Sequence, residues 1–295
     1  MLRKHSFIAA LMALGLVSGA HAAQGVSLNS GFTDFTTWNL FGSATAINET
    51  PGNGFTYSTL RLTAPGVGGR AGAGFAPSAI TLDFNQAFTF DFHFFIPPGS
   101  VVRGDGLTFT LAGTAGLGNG GSGLGYEGLG DSYSVAFAVD TFHVTGDPVS
   151  PSLQILQAGS VAPLAFTETG LGDGIRDQNF QLRAIVDYAP SGSNDETGTL
   201  TGSIFLPFQS FSVSALVDLN ALGPVVFDPQ SGDPIGHSVF YGFTAANGLA
   251  DDGHFITSGV ALPVPEPSTY AMLLAGLVML GFMARRRLQW ASQAV

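Results

Sequence analysis

Four phenylalanines on one parity constrain this chain more than any other feature. Phe88, Phe90, Phe92 and Phe94 alternate with Thr89, Asp91 and His93. Successive side chains of a strand point to opposite faces, so a period of two means one buried face and one wetter face. The same parity recurs in Leu107, Phe109 and Leu111, and in Val135, Phe137 and Val139. It appears again in Leu200, Ile204 and Leu206, then in Phe211, Val213, Ala215, Val217 and Leu219. Turn-rich stretches separate these runs: Pro97-Pro98-Gly99, then 113–130, 190–198 and 228–236. Many short strands with such punctuation predict an all-β sandwich or barrel. No fixed-period repeat and no internal linker divides the body, which reads as one domain.

The two ends carry different signals. Arg3-Lys4 precedes an apolar run from Phe7 to Val17, which leads into Ala20-His21-Ala22. A positive patch, an apolar region and a small-x-small site in that order predict a signal peptide over 1–22, cleaved before Ala23. At the far end stands Val264-Pro265-Glu266-Pro267-Ser268-Thr269, then an apolar stretch from Tyr270 to Ala284, then Arg285-Arg286-Arg287. Pro267 is excluded from a helix interior and Ser268 is a good N-cap, so a helix is predicted to start there. At about 1.5 Å per residue the apolar run is roughly 22 Å long, short of the ~30 Å hydrocarbon core of a bilayer. Snorkelling arginines relieve part of that mismatch and stay on the cytoplasmic side of the inner membrane. Pro-Glu-Pro, a short apolar helix and an arginine cluster together resemble the PEP-CTERM sorting tail, over 263–289. The resemblance implies a Gram-negative bacterium that makes exopolysaccharide, and an exosortase-type enzyme that processes the tail.

Charge and cysteine usage exclude some classes for the body, 23–262. The chain has 10 Lys+Arg against 21 Asp+Glu, and Arg3, Lys4, Arg285, Arg286 and Arg287 fall in the end segments. So acidic a surface argues against a nucleic-acid partner. With Cys 0, disulfides, thiolate metal sites and cysteine nucleophiles are excluded.

Several segments of the body come in a familiar order. Leu60-Arg61-Leu62-Thr63 and Ala71-Gly72-Ala73-Gly74-Phe75 lead to the phenylalanine strand. Gly104-Asp105-Gly106 opens the strand Leu107 to Leu111, and a glycine loop, Gly118 to Gly125, follows. Next come Val135 to Phe142, Asp147-Pro148, Tyr241 to Gly248, and His254 to Ser258. In this order the segments resemble legume-type (L-type) lectins and their bacterial relatives. The resemblance implies a jelly-roll, concanavalin-like β-sandwich that binds carbohydrate on its loops.

Asp105 is the leading candidate contact. An ionised carboxylate accepts strong hydrogen bonds from two adjacent sugar hydroxyls, and the flanking glycines allow close approach. Its other reading is a turn aspartate that caps local N–H groups. Gly121, Ser122 and Gly123 are candidates to offer backbone N–H groups to a ligand; their other reading is a flexible loop. Asp251 and Asp252 lie in the loop where the lectins vary their specificity.

The chain departs from the lectins at their metal strand. There the resemblance implies carboxylates at i and i+2; here the positions hold Ala138 and Asp140. The expected loop asparagine falls near Val144 and the expected histidine on Ser152. Asp140 and Asp147 remain, and with backbone carbonyls and water they define a candidate calcium site. His93, His143, His237 and His254 show no ligand spacing and read as strand and loop residues.

An enzyme is the weaker alternative. A glycoside hydrolase needs two close carboxylates, and Glu49, Glu127, Glu168 and Glu196 all fall in expected loops. The chain has no Glu-x-Asp-x-x-Glu run and no Gly-x-Ser-x-Gly elbow. The leading reading is therefore an exported, non-enzymatic glycan- or polysaccharide-binding protein of the envelope or exopolysaccharide matrix. The alternative is a structural matrix protein of the same fold with no specific sugar binding.

Overall fold

A computed structural model of the protein describes residues 26–27, 32, 34–50, 54–99, 102–129, 133–176, 181–192 and 195–261. The expected signal peptide, and the tail with Pro265, Glu266, Pro267, Arg285, Arg286 and Arg287, lie outside the described residues. Among the described residues no helix is long and apolar enough to cross a membrane.

The strands are β1 (Val26–Ser27), β2 (Asn39–Gly42), β3 (Thr45–Glu49), β4 (Tyr57–Thr63), β5 (Arg70–Phe75), β6 (Ile80–Leu82), β7 (Phe88–Phe95), β8 (Gly106–Ala112), β9 (Ser134–Asp140), β10 (Ser152–Gln157), β11 (Ala165–Glu168), β12 (Leu182–Pro190), β13 (Thr197–Phe205), β14 (Ser210–Asp218), β15 (Val225–Phe227), β16 (Pro234–Asn247) and β17 (His254–Ala261). They form two sheets. One runs β14-β13-β12-β7-β17-β4-β3, with β1 beside β7. The other runs β11-β10-β9-β8-β16-β5-β2, with β6 and β15 on β16. Pairing is antiparallel except between β1 and β7. The all-β sandwich expected from the alternation is present, in the jelly-roll form that the lectin resemblance implies. Glu49 and Glu168, expected in loops, close β3 and β11 instead.

The alternating residues face each other between the sheets. Phe88, Phe90, Phe92 and Phe94 of β7 are buried with Leu107 and Phe109 of β8, Phe137 of β9 and Phe243 of β16. Phe92 and Phe109 stack at a centroid distance of 5.6 Å, and Phe243 meets Phe92 edge-on at 4.8 Å. Each such ring contributes about 1.5–3 kcal/mol by leaving water.

The outer face of β8 and β9 differs from the expectation of a wetter face. Thr108, Thr110, Ala136 and Ala138 are all buried. The cause is the glycine-rich segment between these strands. It folds back over the sheet and inserts Leu124, Tyr126 and Leu129 to make a second apolar cluster with Ala73, Phe75 and Ala138. A hydroxyl chain fixes it there. Thr108 Oγ1 lies 2.7 Å from Thr110 Oγ1 and 2.8 Å from Thr244 Oγ1, and Thr244 Oγ1 donates to the Leu124 carbonyl at 2.8 Å. Within the segment, Gly118 N–H donates to the Gly125 carbonyl (2.7 Å) and Asn119 N–H to the Glu127 carbonyl (2.8 Å). The Tyr126 hydroxyl accepts from Ser134 Oγ at 3.0 Å, and burial pushes its pKa up to about 12. This segment is thus an ordered platform, and it brings a 3-10 turn, Gly121–Gly123, to the mouth of β8.

Candidate functional site

Asp105 sits where β8 begins. Its neighbours Gly104 and Gly106 have φ of +150° and +151°, a region that L side chains rarely adopt. A methyl group on Gly106 would come 2.4 Å from the Val139 carbonyl oxygen, and one on Gly104 would come 2.5 Å from Phe142 Cβ. The Gly104–Asp105 peptide is cis. Backbone bonds pin the residue on both sides. Its N–H donates to the Ala246 carbonyl at 3.1 Å, and its carbonyl accepts from Thr141 N–H at 2.8 Å and Thr141 Oγ1 at 3.1 Å.

The carboxylate of Asp105 points at two glycines. Its Oδ2 accepts from Gly248 N–H at 2.6 Å. A methyl on Gly248 would stand 3.3 Å from that oxygen and 3.4 Å from the Gly121 α-carbon, so the three residues converge. Asp105 is only 5% exposed, and burial raises its pKa; the Gly248 N–H works against this and the nearby Asp252 adds to it. Above the glycines lies an open depression of about 430 Å³, lined by Gly69, Arg70, Gly120, Gly121, Gly248 and Leu249, among others. Of the turn residues expected to meet a ligand, Gly121 lines it, Ser122 is exposed, and Gly123 is buried against Asn119 and Glu127.

Asp251 and Asp252 were expected to face a ligand, and both are buried. Gly99 packs directly on the Asp251 carboxyl, whose backbone bonds Val102 and Gly66. Asp252 accepts from Gly99 N–H (2.7 Å) and from Arg176 Nε (2.6 Å). Loop acids of this kind look exposed in a sequence; here the counter-charge comes from 76 residues away. Asp251 and Asp252 therefore fasten the loops behind the site; neither they nor Asp105, which lies beneath Gly121 and Gly248, line the depression itself. Sequence reasoning placed Gly248 in the specificity loop but missed Arg70 and Asn247, which line the depression. The available signals were an arginine at the head of a glycine-rich strand and an Asn-Gly pair closing a long one.

The candidate calcium site does not fit calcium. Asp140, at the end of β9, is already held by donors. Its Oδ1 accepts from Phe142 N–H (3.0 Å) and Ser150 Oγ (3.1 Å), and its Oδ2 accepts from Gln154 Nε2 (2.9 Å). N–H and O–H groups aimed at a carboxylate occupy the lone pairs a cation would use. Asp147 is exposed in a turn closed by its own N–H on the Val144 carbonyl. It reaches Asp140 only as a like charge, adding to the burial that pushes the Asp140 pKa up to about 6. Ala138, where the lectin pattern has a carboxylate, lies inside the second apolar cluster. Among the described residues no three His, Cys, Asp or Glu side chains gather in a metal-holding group.

The two-sheet sandwich has the fold of the legume lectins. It is similar to the basic winged bean lectin solved with Tn-antigen, at 22% identity, TM-score 0.58, covering 77% of this chain and 93% of that one. It is similar to the lectin of Bauhinia forficata in complex with GalNAc, at 21% identity, TM-score 0.59, covering 77% and 93%. Arcelin-5, a lectin-like defense protein of Phaseolus vulgaris, shares the fold at 19% identity and TM-score 0.56, with 77% and 93% covered. Residues 263–287 match the PEP-CTERM protein-sorting motif, so the chain also carries a sorting signal. No curated protein matches the sequence.

Proposed function

We propose that this chain is an exported, non-enzymatic carbohydrate-binding protein of the cell envelope or its exopolysaccharide matrix. Residues 1–22 act as the signal peptide, 23–262 as the lectin-like body and 263–289 as the tail. The tail holds the body outside the cytoplasm at the inner membrane until an exosortase-type enzyme acts on it. The sorting motif and the fold shared with sugar-binding lectins support this reading.

The observation that carries it is the convergence of Asp105, Gly121 and Gly248 beneath an open depression. Gly248 N–H fixes one carboxylate oxygen of Asp105 and leaves Oδ1 with no donor among the described residues. A sugar hydroxyl supplies that donor, and the two glycines let the ring approach the backbone. A second reading, a structural matrix protein of the same fold, is favoured by the burial of Asp105.

A glycan array of the full chain against Asp105→Ala and Asp105→Asn separates the two. Loss of a defined glycan signal in variants that still melt cooperatively supports the sugar site. Signals that are absent, or indifferent to Asp105, support the matrix reading. New reducing ends released from a polysaccharide would overturn the non-enzymatic assignment.

A further inference from the structure

The lining of the depression holds a positive side chain, in a chain that is acidic overall. The formal net charge is −11, yet Arg70 is the one ionised side chain among the described lining residues. Three arginines of the body are neutralised by aspartates: Arg103 by Asp173, Arg176 by Asp252 and Arg183 by Asp91. Arg70 is exposed, and among the described residues no carboxylate lies within 4.0 Å of its guanidinium. Arg61 also lacks such a partner but does not line the depression.

The backbone of Arg70 is firmly placed. Its N–H donates to Asn247 Oδ1 at 2.9 Å, and Gly69 N–H donates to the Gly248 carbonyl at 2.6 Å. Asn247 is buried and spends its Nδ2 on the Asp252 carbonyl at 3.0 Å. The backbone of Arg70 is therefore bonded to the loop after β16, whose Gly248 N–H holds the Asp105 carboxylate. Leu249, also in the lining, is 96% exposed and offers apolar surface to the C–H face of a sugar ring.

We propose that the site takes an acidic saccharide, a uronic-acid unit of an extended polysaccharide. Arg70 pairs the uronate carboxylate, and Asp105 accepts from the ring hydroxyls. The planar guanidinium fork matches a carboxylate through two parallel N–H···O bonds. The acidic body repels a polyanion, but at ~0.1 M salt that repulsion is screened beyond about 10 Å, so the contact at the depression decides selection. This inference rests on the reading of the depression as a sugar site.

The test is calorimetric titration of the full chain with oligomers of galacturonate, glucuronate and mannuronate, each as the free acid and as its methyl ester. Methyl esters keep the ring and its hydroxyls and remove only the charge. We expect at least one free acid to bind about tenfold or more tightly than its ester. Arg70→Gln, folded by its melting curve, brings that ratio towards one, and Arg70→Lys restores part of it. Equal binding of acid and ester, a preference surviving in Arg70→Gln, no uronate binding at all, or binding of sulfated glycans alone overturns the inference. Asp105-dependent binding of a neutral glycan without acid preference defeats this inference alone. Binding indifferent to Asp105 defeats the sugar-site reading itself.

Discussion

Arg176 Nε and Asp252 Oδ2 meet at 2.6 Å inside the protein, with side-chain exposures of 5% and 0%. The pair ties the far loops together. Arg176 also donates from Nη2 to the Thr141 carbonyl at 2.6 Å, and Asp252 also accepts from Gly99 N–H. Thr141 in turn holds the Asp105 carbonyl, so the pair stands one residue behind the candidate site. Removing Arg176 leaves Asp252 buried without its counter-charge, which costs about 3–5 kcal/mol; removing Asp252 still leaves Arg176 with Asp173 at 3.3 Å, so that change costs less. We expect Arg176→Ala to lower the unfolding free energy by that amount and Asp252→Ala to lower it by a smaller one. The double variant Arg176→Met with Asp252→Leu recovers much of the loss. Urea unfolding of the three proteins checks this, and single variants as stable as wild type would contradict it.

The hydrogen-bonded Asp140 leads to a second expectation. Calcium added or chelated should leave the melting temperature and any glycan binding unchanged, because Gln154, Ser150 and the Phe142 N–H fill the positions around that carboxylate. Gln154→Ala removes the donor to Oδ2 and should cost about 1–3 kcal/mol. Melting curves with calcium and with chelator decide the first point. A rise of several degrees with calcium would mean that the folded state binds it.

Much of this architecture was legible because strand alternation is a local signal. The phenylalanines of β7 and the flanks of Asp105 announce a strand and a close approach within a few residues. What stayed hidden depends on distant partners. The segment from Gly113 to Leu129 has no periodicity, so nothing in it shows that Leu124, Tyr126 and Leu129 cover the outer face of β8 and β9. Asp251 and Asp252 look like exposed loop acids until Gly99 and Arg176 are beside them. Ala138 reads as a lost ligand, and only the packing shows that it is a core residue.

Gly202 is another case where packing supplies the reason. It lies on β13 between Leu200 and Ile204, and all three are buried. A methyl group there would fall 2.0 Å from Cδ2 of the Phe137 ring. The ring therefore lies directly on the Gly202 backbone, across the two sheets. Gly202→Ala must displace it, and overpacking of this kind costs about 1–3 kcal/mol. We expect a lower midpoint in denaturant with an unchanged slope. Phe137→Leu combined with Gly202→Ala should cost less than the sum of the two single changes, as residues in contact are coupled.

His254 sets a pH dependence of folding that is independent of any ligand. It is fully buried on β17, its Nδ1 lies 2.7 Å from Thr63 Oγ1, and its Nε2 has no partner among the described residues. Burial, with the charge of Arg176 adding to it, pushes its pKa down to about 3 from an ordinary value of 6.5. The folded state therefore keeps the ring neutral while the unfolded chain protonates it below about pH 6.5. More protons on the unfolded state mean that stability falls as pH is lowered through the window from 6.5 to about 3. The slope for one such group is on the order of 1 kcal/mol per pH unit. Asp140, raised to about 6, acts in the opposite direction as pH falls, so the raw stability curve mixes the two. Comparison with His254→Asn removes that overlap. The difference in unfolding free energy between wild type and this variant should be flat above pH 6.5 and should move against wild type as pH drops below it. A difference that stays constant from pH 7 to pH 4 would show that His254 carries its proton in the folded state as readily as in the unfolded one.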